Sequence, residues 1–307
     1  MNECRCLRVM VALVLAFGSA AQADLITHGG TTINMDFVPV GNAGNVADTT
    51  GFGAVDYNYR IGKYEVSAGQ WTAVIAADPN VGNTVTWRGS QPTSDTTWYE
   101  AAKFCNWLTT GSAHSGVYNT STWAIMDRQT AVATFGKAYF IPTEDEWYKA
   151  AYYDPNKGGT GVGGYWDYPT RHDSPSVPDG IDFNGDTEYD AVFKQDHDQG
   201  EPSSVDNAGV LSTYGTMGQG GNVWEWNETA IGSSRGVRGG SFASISNDLL
   251  ASYRYTDLDP GFENMYVGFR VASVPEPSSI TLMLCGVSAG LLWWKRRKSH
   301  RFRGTMN

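Results

Sequence analysis

The chain reads as an α+β domain, rich in loops, with short twisted antiparallel strands and about three helices. Thirty-six glycines alongside eleven tryptophans and sixteen tyrosines describe a chain that turns often and fills its turns with aromatic rings. Three N-terminal capping signatures, each followed by apolar residues at helical spacing, mark the helices.

Ser67-Ala68-Gly69-Gln70 opens the first helix, Thr97-Trp98-Tyr99-Glu100 the second, and Thr143-Glu144-Asp145-Glu146 the third. In each, the hydroxyl can accept from a free backbone N–H while the Glu or Gln reaches back to the cap residue. Trp71 with Val74 and Ile75, Trp98 with Ala101, Cys105 and Leu108, and Trp147 with Ala150 and Ala151 supply the buried faces. Cys105 is thereby expected as a small core residue. Strands are expected over 58–66, 138–141, 236–242 and 267–272, the last two carrying Arg238 and Arg270 in apolar surroundings. The polar stretch 154–213 has little periodicity and reads as an ordered surface insertion.

Both ends read as address labels. Arg5 and Arg8, the apolar run from Val9 to Phe17, and the small-x-small triplet Ala21-Gln22-Ala23 form a secretory signal over 1–23, so signal peptidase is an expected partner and Asp24 the expected mature N-terminus. Pro275-Glu276-Pro277, an apolar run from Ile280 to Trp294, and the cluster Lys295, Arg296, Arg297, Lys298 make up residues 274–298, followed by a tail over 299–307. The run is shorter than the roughly 20 residues a helix needs to cross hydrocarbon, and the basic cluster would stay cytoplasmic. This order resembles the PEP-CTERM sorting signal of exopolysaccharide-producing Gram-negative bacteria. The resemblance implies handling by an exosortase, transient inner-membrane anchoring, and transfer to the surface or the extracellular matrix. A permanent membrane anchor is the alternative.

What remains, 24–273, is long enough for one domain with a real core. The formal charge of −10 disfavours nucleic acid as a partner, since phosphate binding needs a basic face. Of the four cysteines only Cys105 lies in this body, so no disulfide can form within it and sites built on several thiolates are excluded.

Five segments in order, IGKYEV, TTWYEAAKFCNWL, IPTEDEWYKAAYY, GGNVWEW, and RGGSF followed by Gly268-Phe269-Arg270, resemble the formylglycine-generating enzyme/sulfatase-modifying factor family, a variant of the C-type lectin-like fold. The founding activity of that family is oxidation of a sulfatase cysteine with O2 and copper(I) held by two thiolates. Soft thiolates select copper(I). Counting from Ser241, the thiolate positions fall on Ser244 and Leu249, and no cysteine follows nearby, so no copper is expected. A second branch of the family uses non-haem iron held by closely spaced histidines. His28, His114, His172 and His197 show no ligand spacing, and the acids beside His197 read as a solvated loop. Asp182 to Glu188 places its glycine at the wrong position for an EF-hand and reads as an acidic surface loop.

Glu225 lies between two tryptophans in GGNVWEWNET. The resemblance implies a calcium site made by the carbonyls of Gly221 and Val223 and the carboxylate of Glu225, with Gly218 where the family has an asparagine. Pairing with backbone N–H groups or with Arg238 is the alternative, and catalysis the third. The resemblance also implies a retained groove lined by Trp224 and Ser241, beside which Tyr253 and Arg254 could stack on a glycan or peptide. The expectation is therefore an exported domain that works by recognition or structure rather than catalysis. An oxidoreductase using another metal in the same groove is the alternative.

Overall fold

The computed structural model describes residues 21–174, 176, 178–180, 189–194 and 200–274. Most of the secretory signal, the Pro275-Glu276-Pro277 segment with all that follows, His197 and the 182–188 run lie outside the described residues. Among those described, no helix is long and apolar enough to cross a membrane.

Helices and strands are mixed, as expected. A five-stranded antiparallel sheet has the order β1 (Gln22–His28), β2 (Thr31–Val40), β3 (Tyr59–Gly62), β13 (Ala272–Ser273) and β4 (Tyr139–Phe140). A four-stranded sheet has the order β11 (Tyr255–Leu258), β10 (Ser234–Arg238), β9 (Trp224–Ile231) and β12 (Val267–Gly268), in which only β12 runs parallel to its neighbour. Two short pairs, β5 (Tyr153–Asp154) with β6 (Gly164–Tyr165) and β7 (Asp179–Gly180) with β8 (Asp190–Ala191), decorate the segment expected to be an insertion. That segment is more than surface. Ala191, Val192 and Phe193 are buried, and Asn222 N donates to Val192 O at 2.8 Å.

The helices number four among the described residues: α1 (Ala68–Ala77), α2 (Trp98–Thr110), α3 (Arg128–Phe135) and α4 (Glu144–Tyr152). All three expected capping boxes are closed in both directions, around Ser67, Thr97 and Thr143. The extra helix, α3, is capped from one side only, by Asp127 accepting from Thr130 N, and buries only Ala131 and Val132. The main core lies where α1 and α2 pack against the larger sheet. Trp71 stacks on Phe104 at 5.6 Å, and Phe104 meets Phe269 edge-on at 5.4 Å. Cys105 is fully buried within it, and burial pushes its thiol pKa up.

Two departures from the sequence reading position the site. The expected strand 267–272 is two strands in different sheets, β12 and β13, and the chain crosses between them at Phe269-Arg270-Val271. The first hairpin, β1 with β2, begins at Gln22, ahead of the expected mature start. Asp24 is buried there. Arg60 holds both its oxygens at 3.0 and 2.8 Å, Lys137 Nζ lies 3.2 Å away, and Tyr139 donates at 3.1 Å. Burial alone would raise the carboxyl pKa, but Arg60 and then Lys137 more than offset it and hold it below the ordinary value.

Candidate functional site

Strand β9 treats the two halves of Trp224-Glu225 differently. Successive side chains of a strand point to opposite faces, so Trp224 stands half-buried beside a cleft while Glu225 is fully buried. The turn leading in depends on glycine at two places. Gly221 has φ +91°, and a Cβ on it would lie 2.0 Å from Val192 O. Gly218 has φ +77°, and a Cβ there would come within 2.9 Å of Glu65 Oε2.

Glu225 is paired, and its partner is Arg270 rather than Arg238. Oε2 accepts from Arg270 Nε at 2.6 Å and from Trp147 Nε1 at 2.7 Å, while Oε1 accepts from Arg270 Nη2 at 2.6 Å. Arg238 instead donates through Nε to Glu144 Oε1 at 2.7 Å. A second buried acid, Glu65, accepts from Asn222 Nδ2 at 2.6 Å and from Val223 N at 3.2 Å. Burial and then the nearby Glu225 charge push its carboxyl pKa well above the ordinary glutamate value, against the opposing pull of Arg270.

Calcium takes about six to eight oxygen ligands. Here the one carboxylate that the resemblance would offer it already accepts three N–H donors, with the Arg270 charge against it. The Glu225 carboxylate is thus satisfied from within the chain. Among the described residues no group of three or more His, Cys, Asp or Glu side chains gathers into a metal-binding cluster.

The cleft on the other side of β9 has a volume of about 410 Å³. Trp224, Ser241 and Tyr253 line it together, as does Tyr255 from the sheet-edge strand β11. The ring centroids of Tyr253 and Tyr255 lie 5.8 and 6.2 Å from that of Trp224. Ile245, Tyr255 and Phe262 are 57%, 43% and 40% exposed; they are half of the six large apolar side chains exposed among the described residues, and all three ring this cleft. Such clustering marks a contact surface more often than chance exposure does. Lys194 and Asp248 add one charge of each sign to the lining.

Arg254 is not brought into the cleft. Its Nε donates to Glu144 Oε1 at 2.7 Å, its Nη2 pairs with Glu144 Oε2, and its guanidinium lies 5.0 Å from the Phe52 ring centroid. Arg238, on the same carboxylate, also donates to Ala251 O at 3.1 Å and Tyr253 O at 2.7 Å. The two arginines therefore brace the backbone that presents Tyr253. Ser244 and Leu249, the positions matching the copper thiolates, are neighbours in space: both lie against Gly240, whose absent Cβ would be 3.4 Å from Ser244 Cβ and 2.7 Å from Leu249 Cδ1. Ser241 N donates to Ser244 Oγ at 3.0 Å. A hydroxyl and an isobutyl group thus stand where that chemistry needs sulfur.

Sequence reasoning missed Ile245 and Asp248, which share one short turn, and Lys194 and Phe262, which come from other loops with no shared motif. It also missed Glu65, although an acid inside the apolar run IGKYEV was a visible signal.

An α+β domain with a braced aromatic cleft defines the class of protein. The chain belongs to the sulfatase-modifying factor enzyme 1-like domain family, whose model matches residues 30–274. It is 25% identical over 285 residues to a protein of Paenibacillus barcinonensis named chaperone protein LppX, covering 80% of this chain and 92% of that one. Among solved structures it resembles Treponema denticola variable protein 1, with a TM-score of 0.55 and 21% identity over 82% of this chain and 99% of that one. The structure of CarF matches with a TM-score of 0.51 and 22% identity, over 78% and 98%. At these identities the structural likenesses speak for the fold alone.

Proposed function

We propose that this protein is an exported, non-catalytic binding domain of the C-type lectin-like kind that holds a peptide or glycan in the Trp224 cleft. The observation that carries this reading is the ring of exposed Ile245, Tyr255 and Phe262 around a cleft of about 410 Å³. Aromatic rings on a rigid support give stacking surface at little entropic cost. The name chaperone borne by a relative supports a polypeptide ligand over a sugar. Copper(I) oxidation lacks support here because Ser244 and Leu249 replace both sulfur donors.

The basic and apolar N-terminal run supports removal by signal peptidase, and Pro275-Glu276-Pro277 with the basic tail supports recognition by an exosortase. The destination under this reading is the cell surface or an exopolysaccharide matrix. Purified mature protein is screened on a combined peptide and glycan array, beside the Tyr255→Ala/Phe262→Ala variant. Saturable binding without turnover, lost in the variant, is expected. Equal binding by the variant, or aldehyde formation on a sulfatase-derived cysteine peptide, would overturn the reading.

A further inference from the structure

We propose that Arg171 and the loop 207–217 form a second binding site, one that takes an acidic saccharide through its carboxylate. The cavity between them has a volume of about 610 Å³ and shares no lining residue with the Trp224 cleft. Small-molecule sites usually span about 300–1,000 Å³. Arg171 is the one charged residue of this lining; Asn207, Ser212, Thr213 and Tyr214 give it neutral polar groups. On a chain with a formal charge of −10, a cation at a cavity without an acid in the lining favours an anionic visitor.

The backbone sets Arg171 apart. Tyr168 and His172 pair across the turn Pro169-Thr170-Arg171, with Tyr168 N donating to His172 O and Arg171 N to Tyr168 O, both at 3.1 Å. Arg171 has φ +65°, a left-handed conformation that glycine enters freely and a residue with a Cβ does not. Among the described residues, six other than glycine have positive φ. Asn42, Asp95 and Asn222 tolerate it through short polar side chains. Trp123 and Tyr189 gain ring contacts, at 4.4 Å with Tyr99 and 4.5 Å with His172. The exposed Arg171 side chain has no hydrogen bond, ion pair or ring contact among the described residues to offset its strain. Strain of this kind persists where a site needs the side chain placed. The turn itself is firm: Tyr168, Thr170 and His172 are buried, and the Tyr168 ring stacks on His172 at 4.8 Å.

The remaining groups narrow the ligand. A guanidinium meets a carboxylate through two parallel N–H donors. Thr213 Oγ1 is shielded from solvent and has no hydrogen-bond partner among the described residues, which leaves it for a ligand hydroxyl. Asn207 adds an amide that both donates and accepts. One carboxylate beside several hydroxyls is the chemistry of a uronic acid. A peptide carboxylate would satisfy Arg171 and leave the groups that match hydroxyls unused.

Titration calorimetry on the purified protein tests this with oligomers of galacturonate and mannuronate, their neutral methyl esters, and a glutamate-rich peptide. The acidic oligomers of at least one kind are expected to bind, less tightly as salt rises, and to bind better than ester or peptide. Arg171→Gly is expected to weaken that binding by about tenfold or more, while its thermal midpoint equals or exceeds the parent's because the turn is relieved of strain. Tyr255→Ala/Phe262→Ala is expected to bind the acid as the parent does, which separates this site from the Trp224 cleft. Four results would overturn the proposal: no binding of either acid at millimolar concentration, equal binding of ester or peptide, loss of binding in the Tyr255→Ala/Phe262→Ala variant, and undiminished binding in Arg171→Gly. A midpoint of Arg171→Gly several degrees below the parent's would overturn it too, since the arginine would then serve the fold.

Discussion

Trp224 and Glu225 are adjacent on one strand and open onto two different kinds of surface. Beneath the strand two buried acids are tied to arginines: Glu225 to Arg270, with the Trp147 N–H besides, and Glu144 to Arg238 and Arg254. Above it, Trp224 looks into a cleft whose aromatic groups have few polar partners and whose rim stays exposed. Under the proposed function the difference separates two tasks. The interior fixes the backbone through ion pairs that are costly to break, and the open side is the one that would meet another molecule. Substitutions should therefore sort into those that unfold the protein and those that silence it.

The largest effect is expected for Glu225→Ala, which leaves Arg270 charged and buried without its anion. A loss of about 3–5 kcal/mol is expected from urea unfolding; near-wild-type stability would erase the contrast. Next comes Glu144→Ala, which releases both Arg238 and Arg254. It should cost about 2–4 kcal/mol and, unlike Glu225→Ala, should also weaken ligand binding, because those arginines hold the backbone under Tyr253. Tyr255→Ala with Phe262→Ala should do the reverse. Stability is expected to stay within about 1 kcal/mol of the parent, while affinity in a direct titration falls by about tenfold or more.

The smallest effect concerns pH. Lys149 is buried, donates to Asn42 O at 2.9 Å, and desolvation lowers its pKa to about 8 from 10.5. The folded protein then sheds this proton near pH 8, whereas the unfolded chain holds it to about pH 10.5. Lys149 therefore weakens the fold at neutral pH, and its contribution to stability rises between those values. Lys149→Met should flatten that rise in a series of midpoints from pH 7 to 10; an unchanged slope would remove Lys149 as its source.

Local signals were legible and long-range partners were not. The capping boxes at Ser67, Thr97 and Thr143 could be read because each lies within four residues. Helix α3 gave no such pattern, having one cap bond and no apolar stripe. The β1–β2 hairpin did carry a signal, since Ile33, Met35 and Phe37 alternate after Gly29-Gly30. Glu225 stood out as an acid among tryptophans, yet the arginine the sequence offered it was Arg238, whereas the structure pairs it with Arg270. The choice was made by the crossing from β12 to β13, which is a property of sheet order. Of the groove residues, Trp224, Ser241 and Tyr253 were found through motifs, while Arg254 was misplaced because Glu144 is distant in sequence.

The start of β1 carries a consequence for timing. Gln22, Ala23 and Asp24 are registered against Phe37, Asp36 and Met35, with the Asp24 carboxylate clamped by Arg60. A protease needs its target extended and free of sheet partners, so any cut before Asp24 would have to precede the closing of this hairpin. A molecule that folded first would hide the scissile bond inside its own hairpin.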